Sequence, residues 1–346
     1  MLFVLILAAA IWGIGRALGA SPEARWLMLG LLYVVVLIVN VALPGSALAA
    51  TLGGSAGEWL VLGGLGLIAW GYFRGLRLLK GRVRPENRPV AEPVAPRDDL
   101  MRAARHIALR EVGGPGQKRI AAARVLVVGA GGLGSPALQY LAAAGVGTLG
   151  VIDDDVVETT NLQRQVIHTE ARTGEPKVFS AAAAITAQHG GVTVRPYHRR
   201  LTGDIAADLF ADYDVILDGT DDTATRYLAN RTAAALGLPL VSGAISQWEG
   251  QVSVFDPTRG APCYRCVFPE PAAPGVSATC AEAGVIGPLP GVIGSLMALE
   301  TLKLVTGAGD PLRGRMLIYD GLYADSRTIA LHRRADCPDC AGVGAA

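Results

Sequence analysis

The sequence predicts an α/β fold in which a largely parallel sheet continues into a partly antiparallel second half, preceded by transmembrane helices. Three observations lead there. Short apolar runs alternate with helical patterns between residues 124 and 242, and a glycine-rich turn, "GAGGLG", follows the first of those runs. The first 80 residues are far more apolar than the rest, which lifts the mean hydropathy to +0.37. Alternating strands and helices imply a parallel sheet covered on both faces.

The N-terminal elements come first. Trp26 to Leu43 is an 18-residue stretch whose only strongly polar side chain is Asn40, enough for a spanning helix. Leu2–Gly15 and Trp59–Phe73 are shorter, each ending at an arginine, Arg16 and Arg74, that can snorkel to an interface. The loops carry a consistent charge bias. Arg16 and Arg25 flank the first, residues 44–58 have no Lys or Arg, and Arg74, Arg77, Lys80, Arg82, Arg84 and Arg88 come after the third segment. The positive-inside rule then places the N-terminus outside and everything after residue 74 in the cytoplasm. Three spans over residues 1–80 are expected, ahead of a hairpin of two. A cleaved signal peptide over 1–20 lacks a positive n-region and leaves the second segment unexplained. Residues 81–97 hold four prolines and no periodic apolar face, which reads as a linker.

The remaining chain, 98–342, carries one further domain. Asp98–Glu111 has helical spacing with Asp98 or Asp99 as cap. Strands are expected at 124–128, 148–152, 192–195, 214–217 and 239–242, with helices at about 133–144, 176–188, 204–210 and 222–236. Past residue 250, the strands 251–255, 315–319 and 327–331 and one helix at about 291–305 lack regular crossovers. The net charge of +1 gives no basis for nucleic-acid binding.

Gly129, Gly131 and Gly134 fit G-x-G-x-x-G between a strand and a helix, and Asp153 begins an acidic run 19 residues later. Alone this is a Rossmann-like dinucleotide fingerprint. The residues downstream of Asp153 suit a dehydrogenase poorly. Asn161, Gln163, Arg164 and Gln165 crowd one polar loop, Lys177 heads a helix, and Asp218, Asp221 and Asp222 lie just past a strand end. Two cations, an amide and carboxylates at neighbouring strand ends suit a triphosphate with magnesium. Cys263/Cys266 and Cys337/Cys340 form two C-x-x-C pairs separated by seventy residues, four soft ligands sufficient for a closed zinc site. Two redox pairs or two disulfides are the alternatives. Cys280 stands alone, as a small buried side chain or as a nucleophile. The five histidines show no metal spacing.

From about Leu100 to Cys340 the motifs RHI (105–107), GAGGLG, NLQRQ (161–165), PKV (176–178), TDD (220–222), SGA (242–244), EGQVSVF (249–255), PCYRC (262–266), TCAEAGV (279–285) and PGVIGSLMALE (290–300) occur in order. Together they resemble the MoeB/ThiF/HesA-type adenylyltransferases of the ubiquitin-activating-enzyme superfamily. The resemblance makes the sheet an ATP-binding one. It implies Gly129, Gly131 and Gly134 against the nucleotide, Asp153 on the ribose, Asn161, Arg164 and Lys177 at the phosphates and Asp221 on Mg2+. It also implies Arg105 entering the neighbouring subunit of a homodimer, and a structural Zn2+ on the four paired cysteines. The implied substrate is a small ubiquitin-like sulfur-carrier protein ending in Gly-Gly. Its activated C-terminus would pass to a sulfurtransferase acting in trans, because the chain ends soon after Cys340. Asp222 stands where the family often has Asn, an additional negative charge beside the phosphates. The expected location is the inner membrane with the catalytic domain facing the cytoplasm. An NAD(P)-dependent oxidoreductase or an inactive membrane-tethered binding protein are the rival readings.

Overall fold

The computed structural model describes residues 2–17, 22–82, 99–270 and 284–344. Much of the linker expected at 81–97, together with Cys280, lies outside them. The chain divides into two compact units, Met1–Arg88 and Pro89–Ala346.

The first unit contains α1 (Leu2–Ala17), α2 (Pro22–Ala42), the short α3 (Ala47–Leu52) and α4 (Ala56–Arg82). Each of the three apolar segments is helical. The last runs further than its apolar stretch, carrying the helix into the basic residues beyond it. Val4, Val36 and Trp59 are buried together. The Tyr33 hydroxyl donates to the Trp59 carbonyl at 2.6 Å, and the Trp59 indole donates to the Gly53 carbonyl at 2.8 Å. A Cβ on Gly63 would lie 2.0 Å from the Tyr33 hydroxyl, so a larger residue there would push the Tyr33 side chain aside. Asn40 satisfies its amide on its own helix, donating to the Val36 carbonyl at 2.9 Å. Outward-facing Phe3, Ile6, Leu31, Ile38, Leu65 and Ile68 are exposed.

In the second unit eight strands form one sheet in the order β3-β2-β1-β4-β5-β6-β7-β8. The strands are β1 Arg124–Val128, β2 Thr148–Ile152, β3 Thr193–Tyr197, β4 Val215–Asp218, β5 Leu240–Ile245, β6 Glu249–Phe255, β7 Arg315–Asp320 and β8 Asp325–Ala330. β1 to β5 pair in parallel, and β5 to β8 pair antiparallel. Both the parallel half and the antiparallel continuation agree with the sequence reading. The central strands are buried on both faces, which is why they read as unbroken apolar runs. Along β1, Val125 and Val127 face one core while Leu126 and Val128 face the other.

The first core is covered by α7 (Gly134–Ala144), α8 (Lys177–Gln188) and α12 (Pro288–Thr306), and the second by α9 (Gly203–Phe210), α10 (Thr223–Leu236) and the short α11 (Tyr264–Val267). α12 is apolar and long enough to cross a membrane, but half of it is buried in the sheet core. Its Met297 sulfur would lie 2.4 Å from a Cβ on Gly243. The single helix expected over 98–111 is shorter, α5 (Asp99–Ile107), and is succeeded by α6 (Gly113–Ala122). The glycines at 113, 114 and 116 hide α6 in the sequence, because glycine opposes helix in local propensity. Packing of Ile120, which is buried, holds α6 in place.

Candidate nucleotide site

The site forms at the carboxyl ends of the parallel strands, where open α/β sheets bind ligands. β1 ends at Val128, and the chain turns through Gly129 with φ +93°, a conformation that favours glycine. A Cβ on Gly134 would sit 1.9 Å from the Gly129 carbonyl oxygen, so the loop and the first turn of α7 are in backbone contact. Around Gly131 the nearest atom to an added Cβ is the Gln165 amide nitrogen at 3.6 Å. The three glycines thus have different duties: a turn, an approach surface and a close packing.

Among the described residues, two buried polar atoms beside this loop have no hydrogen-bond partner, the Ser135 hydroxyl oxygen and the Gln165 side-chain oxygen. Ser135 lies in the first turn of α7, whose positive dipole end favours phosphate; its own N–H is taken by the Gly131 carbonyl at 2.9 Å and Pro136 has none. Orphaned buried polar groups are costly; the Ser135 hydroxyl can donate to a phosphate oxygen, while the Gln165 oxygen can only accept, from a nucleotide hydroxyl or N–H. That fits a nucleotide. Gln165 belongs to the polar loop that the sequence singles out, whereas Ser135 does not stand out in the sequence, since only three-dimensional burial distinguishes it from other polar residues.

Asp153, just past the end of β2, accepts from the Ala130 N–H at 2.7 Å and from the Asp155 N–H at 2.8 Å. Burial pushes its pKa up, against the opposing pull of Lys177 and the two backbone donors. His168 is buried beneath the same loop. Its Nε2 lies 2.9 Å from the Ala130 carbonyl and its Nδ1 2.9 Å from the Ser180 hydroxyl. Desolvation lowers its pKa. Ala130 is therefore held at both its N–H and its carbonyl, and His168 has a structural role.

Asn161 and Arg164 come together, with Arg164 Nη2 donating to Asn161 Oδ1 at 3.0 Å. Lys177 begins α8 and is only 4% exposed. Its Nζ donates to Asp155 Oδ2 at 2.7 Å, so it is a directed buried cation and not surface charge. On the other side of β1, β4 leads into Asp221, which is exposed. Asp222 caps α10, accepting from the Thr225 N–H at 2.8 Å and its hydroxyl at 2.6 Å, and pairs with Arg200 at 3.0 Å. These partners lower the Asp222 pKa against a partial desolvation cost. The additional negative charge expected beside the phosphates is thus matched locally by Arg200. Arg105 is exposed on α5, which packs mainly on α6 among the described elements. Within one chain it is not brought to the site.

The four paired cysteines are free and buried. Sulfur–sulfur separations of 3.8, 3.5 and 3.4 Å join Cys263 to Cys266, Cys263 to Cys337 and Cys266 to Cys340. A disulfide would be about 2.05 Å, which removes both disulfide and oxidised-pair arrangements here. Ligands about 2.3 Å from a tetrahedral zinc lie roughly 3.8 Å apart, so the residues fit the metal. Burial raises the Cys263 pKa, and raises that of Cys340 to about 11, a cost that a bound dication reverses.

Residues 103–339 match the ThiF family. The chain belongs to the ThiF family. Over 248 residues it is 49% identical to the sulfur carrier protein adenylyltransferase of Thermus thermophilus, covering 70% of this chain and 92% of that protein. Over 257 residues it is 50% identical to the mouse adenylyltransferase and sulfurtransferase MOCS3, covering 73% of this chain but only 55% of the relative. The chain thus spans about half of that longer relative. Among solved structures, E. coli MccB with MccA-N7isoASN shares the fold at a TM-score of 0.61 and 18% identity, covering 70% of this chain and 74% of MccB.

Proposed function

We propose that this ThiF-family chain is an ATP-dependent adenylyltransferase that activates the C-terminal glycine of a small ubiquitin-like sulfur-carrier protein. The observation that carries the reading is the helix start at Ser135, with its unpartnered buried oxygens, beside a loop set of Asn161, Arg164 and Lys177. In the reaction, a carboxylate oxygen of the carrier attacks the α-phosphorus of ATP. The bond from that phosphorus to the β-phosphate bridging oxygen breaks, leaving a carrier acyl-adenylate and pyrophosphate.

No protein nucleophile is needed, only alignment and charge neutralisation. The positive end of α7 and the Ser135 hydroxyl face the phosphates, Asp153 takes the ribose hydroxyls with its remaining lone pairs, and Arg164 and Lys177 neutralise phosphate oxygens. Asp221 would hold Mg2+, which supplies charge neutralisation on the leaving pyrophosphate. The four cysteines would hold a structural Zn2+ that joins the 263–266 turn to the C-terminal turn. Arg105, away from the site in its own chain, is assigned to the neighbouring site of a homodimer.

A cleft on the sheet face is lined by Ala244, Gln251, Ile318 and Arg327, with a volume of about 310 Å³. It runs across β5, β6, β7 and β8 and suits an extended carrier tail. The acyl-adenylate then passes to a sulfurtransferase; the mouse relative is named for both activities. The apolar faces of α1, α2 and α4, with the basic residues from Arg74 onward, support anchoring in the inner membrane with the catalytic unit in the cytoplasm.

ATP–pyrophosphate exchange with the full detergent-solubilised chain tests the reading. Exchange should require one Gly-Gly-ending carrier and Mg2+. A folded chain that catalyses none with any such carrier overturns it, and NAD(P) binding by that chain would favour an oxidoreductase. Sedimentation with membranes that resists salt and alkali tests the anchor, and recovery in the soluble fraction rejects it.

A further inference from the structure

Behind the Asp221 loop lies a buried ion pair. Asp218, the last residue of β4, is fully buried, and Arg226, near the start of α10, is 7% exposed. Burial pushes the Asp218 pKa up, opposed by Arg226, the Ser242 hydroxyl and the Thr220 N–H. The two side chains grip the same residue. Asp218 Oδ1 accepts from the Thr220 N–H at 3.2 Å, and Arg226 Nη2 donates to the Thr220 carbonyl. Arg226 Nη1 reaches Asp218 Oδ2 at 3.4 Å and the Ser242 hydroxyl at 3.1 Å. Ser242 in turn donates to Asp218 Oδ2 at 2.9 Å.

We propose that Arg226 is a positioning residue that sets the Asp221 carboxylate for metal binding, by fixing the Thr220 backbone from within. The proposal rests on the assignment of Asp221 to Mg2+. Thr220 is held by the buried pair and Asp222 by its cap on α10, so the exposed Asp221 stands between two immobilised neighbours. A cation that only balanced Asp218 would not need to reach the Thr220 carbonyl as well.

The guanidinium has its own support. Its carbon lies 5.7 Å from the centre of the Tyr264 ring, within cation–π range. Tyr264 comes directly after the first paired cysteine, and its N–H donates to Asn230 Oδ1 at 2.7 Å. Asn230, one turn beyond Arg226 on α10, donates to Asp339 Oδ2 at 2.9 Å, between the second pair of cysteines. The cysteine cluster therefore braces the residue that sets the Asp221 loop.

Arg226→Lys keeps a charge beside Asp218, but an ammonium cannot span Thr220 and Ser242 together. The assay is Mn2+ binding, monitored by electron paramagnetic resonance on the full chain with a non-hydrolysable ATP analogue. Supporting partners of metal ligands typically set affinity by 10- to 100-fold, so the variant should bind Mn2+ about tenfold more weakly. Nucleotide affinity without metal should stay unchanged. A variant with a lower melting temperature but wild-type Mn2+ affinity would make Arg226 merely structural and overturn the proposal. If Arg226→Lys does not fold, Tyr264→Leu decides. It leaves Asp218 paired, and unchanged Mn2+ affinity in it overturns the proposal equally. Wild-type chain in which the analogue fails to enhance Mn2+ binding would instead overturn the assignment of Asp221, and this proposal with it.

Discussion

Replacing Lys177 by Met should separate stability from catalysis. The lysine side chain is 6% exposed, while its partner Asp155 is 67% exposed. Removing the cation leaves Asp155 as a carboxylate that water already solvates. The partly buried Asp153 loses the pull of Lys177 but keeps its two backbone donors, so the full penalty for a stranded buried charge does not arise. A pair with one well-exposed member contributes at most about 1 kcal/mol. Met fills nearly the same volume and relieves the desolvation of a buried ammonium. Folding stability should thus stay within about 1 kcal/mol of wild type.

Catalysis should not be spared. A charge-assisted hydrogen bond to phosphate contributes roughly 1.5–3 kcal/mol, which corresponds to about a 10- to 150-fold loss when expressed in the transition state. The assays are urea unfolding and carrier-dependent ATP–pyrophosphate exchange on the same preparation. Exchange within about threefold of wild type would refute the phosphate role of Lys177. A stability loss well beyond about 1 kcal/mol would refute the reasoning about Asp155.

Three other consequences come from the same geometry. Gly134→Ala drives a Cβ to within 1.9 Å of a backbone oxygen, so α7 must move and stability should fall by about 1–3 kcal/mol or more; a melting temperature equal to wild type would contradict that contact. Metal analysis should find about one zinc per chain, and Cys337→Ser should lower both metal content and melting temperature; a folded, zinc-free wild type would reject the site. His168 has a folded-state pKa below its ordinary 6.5, so the stability it contributes is complete above that value and is lost as pH falls through the lower folded pKa. His168→Gln should flatten the decline in melting temperature below pH 6.5, and an unchanged slope would show that His168 does not cause it.

Much of the catalytic unit is legible in the sequence because its signals are local. The strand expected at 124–128 and the helices near 133–144 and 176–188 come from periodicity within a few residues, and the structure places them at Arg124–Val128, Gly134–Ala144 and Lys177–Gln188. The order of motifs identifies the family. α6 escapes a local reading because its glycines oppose helix, and only tertiary packing supplies the compensation.

The sequence by itself determined the α/β class, the apolar N-terminal helices and the residue types of the site. Tertiary structure alone decided the partnerships. It pairs Lys177 with Asp155, gives both Asp153 oxygens to backbone donors and brings two cysteine pairs seventy residues apart into one cluster. It also makes Arg226 and Asp218 clasp the backbone of a single residue. Periodicity reports which face of an element is buried, because burial repeats with the element's own geometry. Which charge meets which depends on how distant segments cross the sheet, and no local spacing encodes that.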